Sequence, residues 1–191
     1  LLNTIMTSAI YQSASMSVRD PDELQKSSWV FRGMVRRRLT AEQFADAISV
    51  SMSPVFPDSL LVRKMLPPGT QFPITRASLV PNEPFLKALG RPGRETVVTS
   101  RGQSSGLIQA LELTNGDRFA AAIRKAAVTW VKQYKTTAAF TEAAFRRILG
   151  RLPTAAEQRV ATSALGEKPN VNSAEDLLWS LTLHPEFQLI H

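Results

Sequence analysis

Phe119, Ile123, Ala126, Trp130 and Tyr134 recur at three- or four-residue intervals, the apolar stripe of an amphipathic helix, and predict a helix over 117–135. The same spacing runs through most of the chain. Leu2, Ile5, Met6 and Ile10 suit a helix that frays into a serine-rich turn by residue 16. Leu24, Phe31 and Val35, with Trp29 nearby, predict a helix over 22–38, with Asp20 as N-cap and Pro21 at its first position. Thr40 and Gln43 form a capping box ahead of Phe44, Ile48 and Met52, in a helix that ends near Ser53 and Pro54. A short apolar helix follows Ser104, Ser105 and Gly106 and ends at Asn115 and Gly116. Phe140, Ala144 and Ile148 face inward from a helix over 141–149, closed by Gly150. A second capping box, Thr154 with Glu157, opens a helix that stops at Gly166. The last predicted helix starts at 173–176, packs Leu177, Leu178 and Leu181, and ends before Pro185.

The pattern breaks over 54–84. Pro54, Pro57, Pro67, Pro68, Pro73, Pro81 and Pro84 prevent long regular structure. The expectation there is an irregular excursion, with one short strand or hairpin over 60–65. Elsewhere the best strand candidate is 96–99 (Thr96, Val97, Val98, Thr99). The fold class is therefore all-α: a multi-helix orthogonal bundle with a Pro-rich irregular central excursion. The chain reads as a single helical domain over 1–191, divisible into helical 1–53, irregular 54–104 and helical 105–191.

Composition narrows the chemistry. Hydrophobic residues make up 43% of the 191, enough for a packed core. With no cysteine there is no disulfide, thiolate metal site or thioether haem attachment. The two histidines, His184 and His191, do not suggest a metal site, and no cofactor is expected. No apolar run reaches the roughly 20 residues that a transmembrane helix needs. The chain opens at Leu1 in what reads as mid-helix. The expectation is a fragment of a longer protein, with an upstream segment and any export signal absent. The net charge of +7 favours anionic partners. Sixteen of the 23 basic residues are arginine, which also pairs internally with carboxylates better than lysine does. Nucleic acid is disfavoured as a partner, because neither a helix-turn-helix nor an aromatic–basic signature is present.

Five segments carry a family likeness: 6–13 (MTSAIYQS), 37–47 (Arg37, Arg38, Glu42 and Asp46 among them), 91–116, 149–157 (LGRLPTAAE) and 176–187 (Asp176, Trp179, His184, Pro185, Phe187). Together they resemble the planctomycete-type C-terminal domain of unknown function, number fifteen-fifty-three, found with planctomycete cytochrome c-like domains. The resemblance spans nearly the whole chain. It departs at Ala45, where the family usually has arginine, and in lacking the family's aromatic, Gly-rich amino-terminal part. It implies a module of a larger exported bacterial protein, periplasmic or at the cell surface. The implied partners are cytochrome c-like or lectin-like domains, with a link to polysaccharide. It implies no established activity.

Two constellations could carry chemistry. Glu42 and Asp46 lie one turn apart on one helix face. They suit a divalent-cation site, for which no third ligand is evident, an acid/base pair for carbohydrate processing, or a clamp on the arginines of the preceding helix or of segment 91–116. Arg91, Arg94 and Arg101, with Ser104 and Ser105 before a helix start, suit either an anion site for an acidic polysaccharide or a brace for the loop. A serine nucleophile is unsupported, since there is no G-x-S-x-G and both histidines lie at the tail. His184 is expected to cap carbonyls or face solvent, and Trp29, Trp130 and Trp179 to pack on helical apolar faces. The reading that results is a non-catalytic interaction or structural module. The alternatives are a carbohydrate-processing enzyme module and an anionic-polysaccharide-binding module.

Overall fold

The computed structural model describes residues 1–18, 20–56, 75–81, 83–93 and 106–190. The protein is mostly helical with one small two-stranded sheet, so the all-α class holds. The predicted strands over 60–65 and 96–99 lie outside the described residues. The chain forms two compact units, 1–38 with 189–191, and 39–188.

The larger unit contains every buried hydrophobic side chain of the described residues, from Ala41 to Phe187. Its helices are α2 (Ala41–Ser51), α3 (Pro84–Ala88), α4 (Leu107–Asn115), α5 (Asp117–Gln133), α6 (Thr137–Ile148), α7 (Ala155–Leu165), α8 (Val171–Leu183) and α9 (Pro185–Gln188). α5 and α8 form its most extensive helix pair. Phe119, Ile123, Ala126 and Trp130 on α5 are buried, as are Ala174, Leu178 and Leu181 on α8. Aromatic rings carry the core outward. Phe44 of α2 sits 6.1 Å from Phe119 and 5.7 Å, edge-on, from Phe187 of α9. Trp130 meets Phe140 of α6 at 6.0 Å.

Side-chain caps mark where α2, α6, α7 and α8 start. Thr40 and Thr154 each form a complete capping box, with Gln43 and Glu157. α6 starts four residues earlier than predicted, because the Thr136 hydroxyl accepts the Ala139 N–H. α8 also starts early, at Val171, because the Asn170 side chain accepts from Asn172 and Ser173. Beyond Leu183 the chain makes one further turn, α9. It opens at His184, whose Nδ1 accepts the Glu186 N–H at 3.3 Å, so this histidine caps an N–H rather than a carbonyl.

The smaller unit departs from the prediction. α1 covers only Leu2–Met6. Asp20 does act as N-cap with Pro21 behind it, but the helix expected over 22–38 stops after one 3₁₀ stretch, Pro21–Gln25. The chain then turns, with the Trp29 N–H donating to the Lys26 carbonyl at 2.9 Å, before it reaches Met16. Met16 N–H donates to the Met34 carbonyl at 2.8 Å, and Arg36 N–H to the Met16 carbonyl at 2.9 Å. Gly33 makes that approach feasible, since a Cβ there would lie 2.5 Å from the Ala14 carbonyl oxygen. β1 (Arg37–Arg38) then pairs antiparallel with β2 (Leu189–Ile190). Trp29 is thus half-buried on a non-helical segment, while Trp130 and Trp179 do sit on helices.

Candidate functional site: arginine–carboxylate clamps

α2 presents Glu42 and Asp46 one helical turn apart, and both reach the same neighbour, the 3₁₀ turn Ala77–Leu79. Asp46 works at the amino end of that turn. Its Oδ1 accepts the Ala77 N–H at 2.7 Å, and its Oδ2 pairs with Arg76 Nε at 3.0 Å. Glu42 works at the carbonyl end through Arg91, whose Nε lies 3.3 Å from its Oε1. The Arg91 guanidinium also donates to the carbonyls of Val80 (2.5 Å), Ser78 (3.2 Å) and Ala77 (3.3 Å). A carboxylate thus meets exposed N–H groups and a guanidinium meets exposed carbonyls, the arrangement that the turn's own dipoles favour. Gly90 makes it reachable. At φ +93° it takes a backbone conformation that side chains disfavour and turns the chain back after α3. Arg91 N–H then donates to the Leu86 carbonyl at 2.9 Å.

Two further arginines repeat the theme. Arg118, at the start of α5, pairs with Glu83 at 2.6 Å, donates to the Val55 carbonyl at 3.3 Å and stacks 5.2 Å from the Phe56 ring centroid. Arg151, between α6 and α7, grips two carboxylates. Its Nη1 and Nη2 donate to Glu157 at 2.8 and 2.7 Å, while its Nε and Nη2 donate to Glu186 at 2.7 and 3.0 Å. The Arg151 hydrogen bonds, with the Thr154 N–H behind them, hold the Glu157 carboxyl down to about 2. The same guanidinium lowers Glu186 and is itself pushed further up by both partners. Sequence reasoning did not reach this fork. The available signal was an arginine three residues before a capping box whose glutamate has oxygen lone pairs to spare.

Of the sequence-derived candidates, Glu42, Asp46 and Arg91 come together around one turn. Arg94, Arg101, Ser104 and Ser105 lie outside the described residues. Among the described residues no group of three His, Asp or Glu side chains could hold a metal ion. No described helix is long and apolar enough to cross a membrane.

Fold and clamps define an all-α protein in which arginines pair with carboxylates and backbone carbonyls, Arg151 bidentately. The profile of the PSD1 family, proteins of unknown function (DUF1553), matches residues 62–165, just over half of the chain, and the chain belongs to that family. No match is found among curated proteins or among solved structures.

Proposed function

We propose that the protein is a non-catalytic structural and interaction module of a larger exported protein. The observation that carries this reading is the engagement of Glu42 and Asp46. An acid/base pair must exchange protons with a substrate in an open cleft. Here Asp46 accepts a backbone N–H and faces Arg76, and Glu42 faces Arg91. Both carboxylates are mostly buried, with side-chain exposures of 15% for Glu42 and 17% for Asp46. Arg91 is likewise occupied by Glu42 and three carbonyls, which leaves little of its fork for an acidic polysaccharide. The family resemblance supports placement at the periplasm or cell surface beside cytochrome c-like or lectin-like domains.

The test compares Glu42→Gln, Asp46→Asn and Arg91→Gln with the parent chain for thermal unfolding, polygalacturonate and heparin binding, and polysaccharide hydrolysis. The module reading expects each variant to unfold at lower temperature and the parent chain to release no sugar. Hydrolysis by the parent, abolished in a still-folded Glu42→Gln, would establish the enzyme reading instead. Polyanion binding lost in a still-folded Arg91→Gln would establish the polysaccharide-binding one.

A further inference from the structure

Most large apolar side chains of the smaller unit are exposed. Residues 1–18 carry no charged side chain. Leu2, Ile5 and Met6 share one face of α1 and are 76%, 46% and 54% exposed. Ile10 and Tyr11 continue the series, and Val30, Phe31 and Met34 form a second group at 65%, 50% and 58%. More than half of the exposed large apolar side chains among the described residues fall in the first 34 positions, while every buried hydrophobic residue lies at Ala41 or beyond. Single exposed apolar residues are ordinary on a protein surface, but a concentration of this kind is not.

Cations stand among these side chains. Arg32, Arg36 and Arg37 are all exposed. At the isolated bridge between Val35 and Met16, alternation puts Met34 and Arg36 on the same side of the backbone. Segment 1–38 holds six basic and three acidic residues. A second copy of the chain would therefore set like charge against like. A protein partner would need a relief matched to individually protruding side chains. The boundary of a bilayer needs no matched relief: apolar side chains enter beneath the headgroups while guanidiniums pair with the phosphates.

We propose that this unit docks on the surface of an anionic phospholipid bilayer, with the α1 face and Phe31 and Met34 inserted and Arg32 and Arg36 on the headgroups. This proposal is independent of the module reading above. It is tested by cosedimentation of the full chain with vesicles of phosphatidylcholine alone or mixed with phosphatidylglycerol.

The expected result is binding at least tenfold stronger to the mixed vesicles, weakening as salt is raised. Arg32→Gln with Arg36→Gln should cut it about fivefold per charge removed. Leu2→Ser with Ile5→Ser and Met6→Ser should cut it further, with the helical circular dichroism of each variant unchanged. Phe31→Ser with Met34→Ser serves as a second apolar variant should the first misfold. Failure to bind the mixed vesicles overturns the proposal, as does equal binding to neutral ones. So does a dimer in sedimentation velocity that the apolar substitutions convert to monomer.

Discussion

Arg151 shows how much one side chain can organise. Its fork binds Glu157 through both terminal nitrogens and Glu186 through Nε and Nη2, while Nη1 also donates to the Leu152 carbonyl at 3.1 Å. Its guanidinium lies 5.7 Å from the Phe145 ring centroid. Planar bidentate geometry is what lysine lacks, so Arg151→Lys is expected to restore little of what Arg151→Gln loses, about 2 kcal/mol by the usual worth of hydrogen bonds to charged groups. Denaturant midpoints of the three proteins check this. The same pair predicts the acid limb. The Glu157 carboxyl is depressed from 4.5 to about 2 by Arg151, so its contribution is complete above about pH 5 and is lost as pH falls towards 2. Glu186, depressed by the same arginine, acts in the same direction. In Arg151→Gln the urea midpoint should change less between pH 5 and pH 2 than in the parent chain. An equal slope in both proteins would show that other carboxylates govern acid unfolding.

Among the elements, caps with reciprocal hydrogen bonds define the starts of α2, α7 and α8. Thr40 with Gln43 and Thr154 with Glu157 satisfy donors that a helix start leaves open, and Asn170 does so for α8. Thr154→Ala and Asn170→Ala are each expected to cost about 1 kcal/mol, read as a shift in denaturant midpoint. Because Glu157 also belongs to the Arg151 fork, Thr154→Ala and Arg151→Gln should be non-additive, whereas Asn170→Ala with Arg151→Gln should add. The Thr40 and Thr154 boxes were legible in the sequence because they are local: two residues three positions apart carry the whole interaction, whereas the Asn170 cap lies ahead of the start expected at 173–176. The helix expected over 22–38 misled for the converse reason. Leu24, Phe31 and Val35 match helical spacing, but periodicity stabilises a helix only when its stripe is covered, and Leu24 and Phe31 are exposed. Gly33 also weakens a helix while allowing close approach to Ala14, and pairing with Met16 takes the segment instead. α9 and β2 are too short for any period to register. The clamps lie between these cases. That surplus arginines would seek carboxylates was readable from composition and spacing. That Glu42 takes Arg91 while Asp46 takes Arg76, thirty residues on and within the Pro-rich excursion, depends on how the chain returns over α2, which no local pattern encodes.

Across the whole molecule, burial is distributed very unevenly, and stability should follow it. Trp130, Phe119, Phe140, Leu178 and Ile123 are all essentially inaccessible, and all belong to the larger unit. Amide protection depends on the free energy of the opening that exposes each N–H, and that free energy rises with the apolar surface an opening must uncover. Opening α5 or α8 uncovers the shared core of both helices, so their amides should exchange only through global unfolding. Opening the backbone pairs of Met16 with Met34 and Arg36 uncovers no buried hydrophobic side chain, so those amides should exchange orders of magnitude faster in the chain free of lipid. Hydrogen exchange read by mass spectrometry measures both in one experiment. Leu178→Ala sharpens the contrast. Emptying that site should cost about 2–5 kcal/mol and speed exchange throughout α5 and α8 by the same free energy, leaving residues 1–38 unchanged. Slow exchange in 1–38, or its acceleration by Leu178→Ala, would mean that the smaller unit opens only with the core. The uneven burial would then be no guide to where this fold is held.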